Sequence, residues 1–376
     1  MTGFAKMVIT PMKTVDHTYQ TLYSELAQRT LDASFSSEFS IDGRFITMES
    51  RGRRYWYFDT ANGVRGKHRR YVGPVDDAEI TRRVENFRNL KADNRSRRRL
   101  VSTLVREAYL PRPESYVGDI VQALADAGFF RLRGVLVGTV AYQCYPALVG
   151  VRLPNVAMQT ADADFAQFQA ISSAIGDAMP PILDVLHAVD KTFHEVPHQA
   201  DNRHATRLIS RSGYKVEFLT PNVGSADRDG RPIQMPALGG ASAEPLRFLD
   251  FLIYEPVRAV LLHRAGVAVL VPAPERYAVH KLIVASRRRT DRKGSEKSRK
   301  DRLQAQSLFK AMIETRRNDV LADAYMEAWK RGPAWQDALR ESLRSFDVRT
   351  RKEIEDGLDA GIRVMGENPN TYLTAH

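Results

Sequence analysis

Gly134-Val135-Leu136-Val137-Gly138-Thr139, Ala161-Asp162-Ala163-Asp164-Phe165 and Tyr214-Lys215-Val216-Glu217-Phe218-Leu219 are the three stretches that decide the fold. The first reads as a short apolar strand that runs into Gly-Thr and opens a helix, expected to continue through Tyr145 and stop at Pro146. The second reads as a strand carrying two acids one residue apart. Residues i and i+2 of a strand share a face, so Asp162 and Asp164 point the same way. Two carboxylates so placed cannot both stay charged and dry without a cation beside them. Carboxylate-bearing, oxygen-rich sites suit Mg²⁺ or Mn²⁺. The third stretch sets one acid, Glu217, between Val and Phe in an apolar strand. Gly138 allows close backbone approach to a phosphate, and a helix N-terminus with the Thr139 hydroxyl supplies donors to an anion. Taken singly, each feature has a plainer reading: Glu217 faces water by strand alternation, and Gly-Thr is a tight strand-to-helix turn.

Around these stretches, residues 129–300 alternate short apolar strands with helices. Ala205–Ser210 and Tyr214–Leu219 flank the turn Arg211-Ser212-Gly213, and Ala259–His263 and Val267–Val271 flank Arg264-Ala265-Gly266, which predicts two hairpins. Helices are expected over 115–127, stopped by Gly128, over 180–189, and over 275–288 after Pro272 and Pro274. The expected fold class is α+β: a mixed sheet with antiparallel pairs and flanking helices.

Outside this region, residues 15–31 have helical periodicity with Asp16 as N-cap. Residues 43–74 read as a small antiparallel β element with turns at Ser50-Arg51-Gly52 and Asn62-Gly63. Residues 76–109 read as a charged helix, interrupted near Asp93-Asn94, whose Arg95, Arg97, Arg98 and Arg99 form a solvated face. A polar, basic loop is expected at 291–300, then helices over 301–365 with Leu303, Leu308, Met312 and Ile313 inward, and a frayed end from Glu367. The resulting domains are 1–112, 113–290 and 291–376.

In combination, strand, Gly-Thr, helix, Asp-x-Asp on a strand and an acid on a further strand resemble the nucleotidyltransferase fold of the polymerase-β type. The segment Pro272-Ala273-Pro274-Glu275-Arg276-Tyr277-Ala278-Val279-His280-Lys281-Leu282, followed by Arg287 and Lys300-Asp301, looks like a bacterial nucleotidyltransferase-fold family, distantly related to abortive-infection and toxin nucleotidyltransferases. The stretch Gly43-Arg44-Phe45, Tyr55-Trp56-Tyr57-Phe58 and Tyr71-Val72-Gly73-Pro74 is similar to that family too, so the resemblance spans about residues 40–310. It implies that Gly138 and Thr139 meet the phosphates of an NTP, with Lys281 as a phosphate or substrate contact. It implies Asp162, Asp164 and Glu217 as the catalytic, metal-holding acids, Glu217 standing where the wider fold more often has Asp. The spacing from Thr139 to Asp162 is longer than in compact members, as an inserted loop around Val149–Ala157 would make it. The implied reaction moves NMP from an NTP to a hydroxyl of RNA, such as tRNA, or of a protein, in a defence or toxin module with an antitoxin or partner protein.

Charge fits a polyanion partner. The 376 residues carry Lys+Arg 56 against Asp+Glu 45, a net charge of +11. Lys281 to Arg302 holds ten Lys/Arg and three acids, and Arg51 to Arg70 holds seven Lys/Arg, one acid and an aromatic run. Either patch suits RNA, with rings stacking bases and cations holding phosphates. The alternatives are a solvated loop and an edge hairpin kept soluble by charge.

His194-Glu195-Val196-Pro197-His198 is a literal H-E-x-x-H, with His204 where a third zinc ligand would fall. That zinc-hydrolase reading needs both histidines on one helical face, and Pro197 disfavours the helix. A polar loop is the expectation instead. Cys144 is the sole cysteine, which excludes an intramolecular disulfide and fits a reducing cytoplasm; it reads as a packed small residue, and His280 as a packed helix position or, alternatively, a substrate contact beside Lys281. No apolar run is long enough to span a bilayer. A composition of 43% hydrophobic and 27% charged residues excludes a disordered chain, a collagen and a coiled-coil rod. A second reading, a nucleic-acid-binding protein of the same fold without catalysis, is opposed by the presence of all three acids.

Overall fold

The computed structural model describes residues 12–38, 44–50, 52–59, 69–86, 94–158, 160–201, 203–222, 230–288 and 291–373. Arg51, the Asn62-Gly63 turn and Arg289 lie outside them. The fold is α+β, as expected. Helix α1 (His17–Glu38) is followed by a three-stranded antiparallel sheet of β1 (Arg44–Ser50), β2 (Arg53–Asp59) and β3 (Arg69–Pro74). Helices α2 (Ala78–Asn86), α3 (Asn94–Arg106) and α4 (Ser115–Asp126) lead to the central sheet.

That sheet comprises β4 (Val135–Val137), β5 (Asp162–Ala166), β6 (His194–Pro197), β7 (Ala205–Ile209), β8 (Lys215–Pro221), β9 (Ile233–Gln234) and β10 (Ser242–Leu246). β4 runs antiparallel to β5, and β5 parallel to β8. Leu219 is in register with both Ala166 and Glu244, so β10 lies on the edge of β8 away from β5, beyond the end of β7. Short helices α5 (Gly138–Tyr142), α6 (Tyr145–Val149), α7 (Gln169–Ala174), α8 (Ile182–His187) and α9 (Leu249–Leu252) fill the connections. The hairpin β11 (Val257–Leu261) and β12 (Val267–Val271) precedes α10 (Pro274–Ser286), and α11 (Arg292–Glu314), α12 (Asn318–Lys330), α13 (Pro333–Arg344) and α14 (Val348–Val364) complete the chain.

The sequence explains these elements locally. Asp16 caps α1, its carboxylate accepting from Thr18 N at 2.8 Å. Both predicted hairpins form, β7–β8 and β11–β12. Helix α10 is buried nearly all round: Tyr277, Ala278, Val279, Leu282 and Ile283 are fully buried, and Arg276, His280 and Lys281 are buried with them, as befits a helix at the centre of a layer. It packs on α11, α12 and α13, and the Tyr277 hydroxyl donates to Gly138 O at 3.0 Å, tying the helical layer to the sheet.

Five expectations are corrected. Pro146 does not stop a helix running through Tyr145: α5 ends at Tyr142, and Pro146 sits in the first turn of α6, where its missing N–H costs nothing. Residues 292–300 are the first turns of α11 rather than a loop, because Asp291 caps the helix by accepting from Gly294 N at 2.7 Å and straight-chain residues dominate those turns. Arg97 leaves the solvated face: it is buried and donates to Ala265 O at 3.1 Å. Residues 367–373 are tied down rather than frayed, with Tyr372 buried and its hydroxyl donating to Glu367 at 3.1 Å. Finally, Phe58 is buried and Trp56 donates to Thr81 Oγ1 at 2.8 Å, so this face of the three-stranded sheet packs on α2 with Val72 and Ile80 and is not open for base stacking.

No helix among the described residues is long and apolar enough to cross a membrane.

Candidate active site

Strands β4, β5 and β8 bring the sequence-predicted residues to one place. Val137 is in register with Asp164, and Asp164 with Glu217. Ala163, Phe165, Val216 and Phe218 are buried on the opposite face of the sheet, so packing fixes which way the acids point. The chain then turns at Gly138, whose φ is +66°. A Cβ there would overlap Asp164 Oδ2, so only glycine lets the turn close over this carboxylate. Thr139 comes next, half-buried, with no side-chain hydrogen bond among the described residues.

The three acids are held differently. Asp162 Oδ1 accepts from the Thr160 hydroxyl. Glu217 Oε1 accepts from Arg207 Nε at 2.6 Å, Arg207 being its register partner on β7. Asp164 is the carboxyl under most electrostatic pressure: burial, then the charges of Asp162 and Glu217, push it up to about 7. In this conformation no three Asp, Glu, His or Cys side chains among the described residues form a group able to hold an ion. Asp162 and Asp164, neighbours on one strand face, do match the donor set of a hard divalent cation, and Asp164 is a desolvated carboxyl whose charged form such an ion would stabilise. Glu217 is held by Arg207 through Oε1.

Cations come from the helical layer. Lys281 is buried on α10, its Nζ bonded to Asp301 Oδ1 at 2.6 Å, while Arg288 Nε takes Asp301 Oδ2 at 2.8 Å. Burial acts against the Asp301 charge, yet Lys281 and Arg288 hold its carboxyl below the usual range. Lys281 is thus fixed by its own counter-ion, within electrostatic reach of Asp164. Two cations that sequence reasoning placed in a loop, Lys297 and Lys300 on α11, are also within electrostatic reach of the acids: Lys297 acts on Asp164, and Lys300 interacts with Asp162. Burial, then the neighbouring Lys281, lowers the Lys300 ammonium. Their i, i+3 spacing puts both on one helix face, a signal available once 291–300 is read as helix.

The Gly138 turn over Asp164 and the Thr139 hydroxyl thus stand beside three strand-borne acids, with lysines of the helical layer in electrostatic reach. The family model described as Nucleotidyltransferase matches residues 115–330, more than half of the chain. The chain belongs to the nucleotidyltransferase family. The matched span opens with α4, includes all of the central sheet and the site, and closes at the end of α12. A nucleotidyltransferase is a transferase enzyme, and its family generally uses an NTP and a divalent metal. No curated protein and no solved structure matches the chain.

The zinc motif does not assemble. His194 to Pro197 form β6, paired with β7, and not a helix or a loop. Along a strand, residues four apart are separated by about 13 Å, too far to share one ion. His198 instead bonds Glu244 at 2.8 Å, and His204 Nδ1 lies 3.2 Å from the Ser242 hydroxyl. Cys144 is buried, which pushes its thiol up to about 12. His280 is buried as well, and burial, then Lys281, lowers it to about 3, so it is a neutral packed side chain.

Proposed function

We propose that this nucleotidyltransferase moves NMP from an NTP to a hydroxyl acceptor, either RNA such as tRNA or a protein, in a divalent-metal-dependent reaction serving a defence or toxin module. The observation that carries this reading is the register of Val137, Asp164 and Glu217 across three adjacent strands, with Gly138 turning over Asp164 and Asp162 on the same face.

In this reading Asp162 and Asp164 would hold Mg²⁺ or Mn²⁺, with Glu217 as the third acid. When bound, the ions neutralise charge on the phosphates and on the attacking and leaving oxygens. The residues of the chain do the rest. The Gly138 turn brings backbone and the Thr139 hydroxyl to the phosphates, and Lys300 and Lys297 supply positive charge for the departing pyrophosphate, with Lys281 behind them. The carboxylate of Glu217, once released from Arg207, accepts the proton of the acceptor hydroxyl. Buried Asp301 fixes Lys281 through its bond to Nζ. The exposed cations of α11 and of the β1–β2 edge supply sequence-independent attraction for RNA.

The test is incubation with each labelled NTP, Mg²⁺, total cellular RNA and cellular protein. Label in RNA or protein that requires Asp162 and Asp164 supports the reading and identifies the acceptor class. RNA binding without transfer, equal in the wild type and the Asp162→Ala/Asp164→Ala double variant, favours a binding module.

A further inference from the structure

We propose that a second pocket, remote from the acids, binds an anionic amphiphile: an apolar body ending in one carboxylate or phosphate. The pocket is a cleft open to solvent between the three-stranded sheet, α1, α2 and the β11–β12 hairpin. Leu31, Val72, Ile80, Phe130, Val269 and Leu270 supply the apolar part of its walls. Four arginines and no acid line it: Arg83, Arg131, Arg133 and Arg258.

Three of these guanidiniums are answered by carboxylates that are not part of the lining. Arg83 pairs with Asp32 at 2.9 Å and with Glu79, Arg131 with Asp177 at 2.6 Å, and Arg258 with Asp77 at 2.7 Å and with Glu79. Arg133 differs. It is half-buried, and its guanidinium has no ion-pair or hydrogen-bond partner among the described residues. Its backbone φ is +67°, a left-handed conformation that a non-glycine residue adopts at a cost. An unanswered guanidinium on a residue that lines the pocket offers a planar fork to a carboxylate or phosphate, with the apolar side chains of the lining taking the rest of the molecule. Arg133 lies before β4 and Gly138 after it, so strand length alone separates pocket and acids by about 15 Å. The inference is independent of the reading of the acids.

The experiment is calorimetric titration of the full chain with octanoate, octyl phosphate, 1-octanol and inorganic phosphate. Octanoate or octyl phosphate is expected to bind once per chain, and whichever binds more tightly identifies the head group. Octanol and inorganic phosphate are expected to bind at least tenfold more weakly, because each lacks one half of the match. Arg133→Gly removes the cation and relaxes the backbone, since glycine accepts this φ freely. It should lose at least tenfold in affinity with an unchanged or higher melting temperature. Asp164→Ala should bind the amphiphile as the wild type does. The proposal is overturned if no probe binds, if octanol matches octanoate, if Arg133→Gly retains full affinity, or if Asp164→Ala abolishes binding.

Discussion

The Oδ2 atom of Asp164 occupies the space that the first side-chain atom of any residue other than glycine at position 138 would need. Turn and carboxylate are therefore one structural unit, although 25 intervening residues separate them in the chain. Gly138→Ala must strain the backbone at φ +66° and displace the acid. The expected cost in stability is about 1–2 kcal/mol. The loss of nucleotidyl transfer should be far larger than that, at least a hundredfold, because the carboxylate moves. Steady-state kinetics beside a melting curve checks this; activity within tenfold of wild type contradicts it.

The carboxyl of Asp164, pushed up to about 7 by burial and by Asp162 and Glu217, has an ordinary value of 3.8. Between those values the native protein holds a proton that the unfolded chain has released. Metal-free stability therefore falls as pH rises through this window, and the loss is complete above about 7. Asp164→Asn should thus stabilise the metal-free protein at pH 8 by about 1–2 kcal/mol. The gain should shrink steadily toward pH 4. Denaturant melts at pH 8 and pH 5 decide, and an equal gain at both contradicts the assignment.

Lys281 and Lys300 should separate cleanly. Lys281→Met leaves Asp301 buried with only Arg288, which costs about 2–4 kcal/mol of stability. Lys300→Ala should leave the melting temperature within about 2 °C and raise the KM for NTP about tenfold. Thermal melts and NTP titrations on both variants check this. The reverse pattern would place the phosphate contact on Lys281.

The Arg207–Glu217 pair is partly exposed, Arg207 by 45%, so the pair itself contributes at most about 1 kcal/mol. Arg207→Ala should therefore fold normally and bind Mg²⁺ at least as tightly as wild type, since Glu217 is released. Glu217→Gln should keep the fold and lose at least a hundredfold in kcat. Metal titration and kinetics on the two variants test this; weaker Mg²⁺ binding by Arg207→Ala contradicts the release.

The sheet was legible because strand alternation is local. Burial of Ala163, Phe165, Val216 and Phe218 on one face forces Asp162, Asp164 and Glu217 to the other, and the residues alone announce it. The two hairpins were legible from their glycine turns. Less visible was whatever depends on distant partners. Arg97 reads as solvent-facing until Ala265 O arrives from 168 residues away. Lys281 reads as a free phosphate contact until α11 brings Asp301 against it. The basic run 291–300 reads as a loop because charge outweighs periodicity, whereas Asp291 at the N-cap and the absence of proline permit a helix; once helical, the run delivers Lys297 and Lys300 to the acids. Trp56 and Phe58 read as stacking platforms because an aromatic run beside arginines looks the same whether α2 covers it or not.

The central claim is that Asp162 and Asp164 hold the metal for transfer of NMP. The most direct measurement tracks label from one NTP carried at the α-phosphate in one reaction and at the γ-phosphate in another, with Mg²⁺ and cellular RNA and protein. Wild-type protein is expected to attach the α-label and leave the γ-label in pyrophosphate, and Asp164→Ala to attach neither. Attachment of the γ-label, or attachment of the α-label by Asp164→Ala at the wild-type rate, would contradict the account.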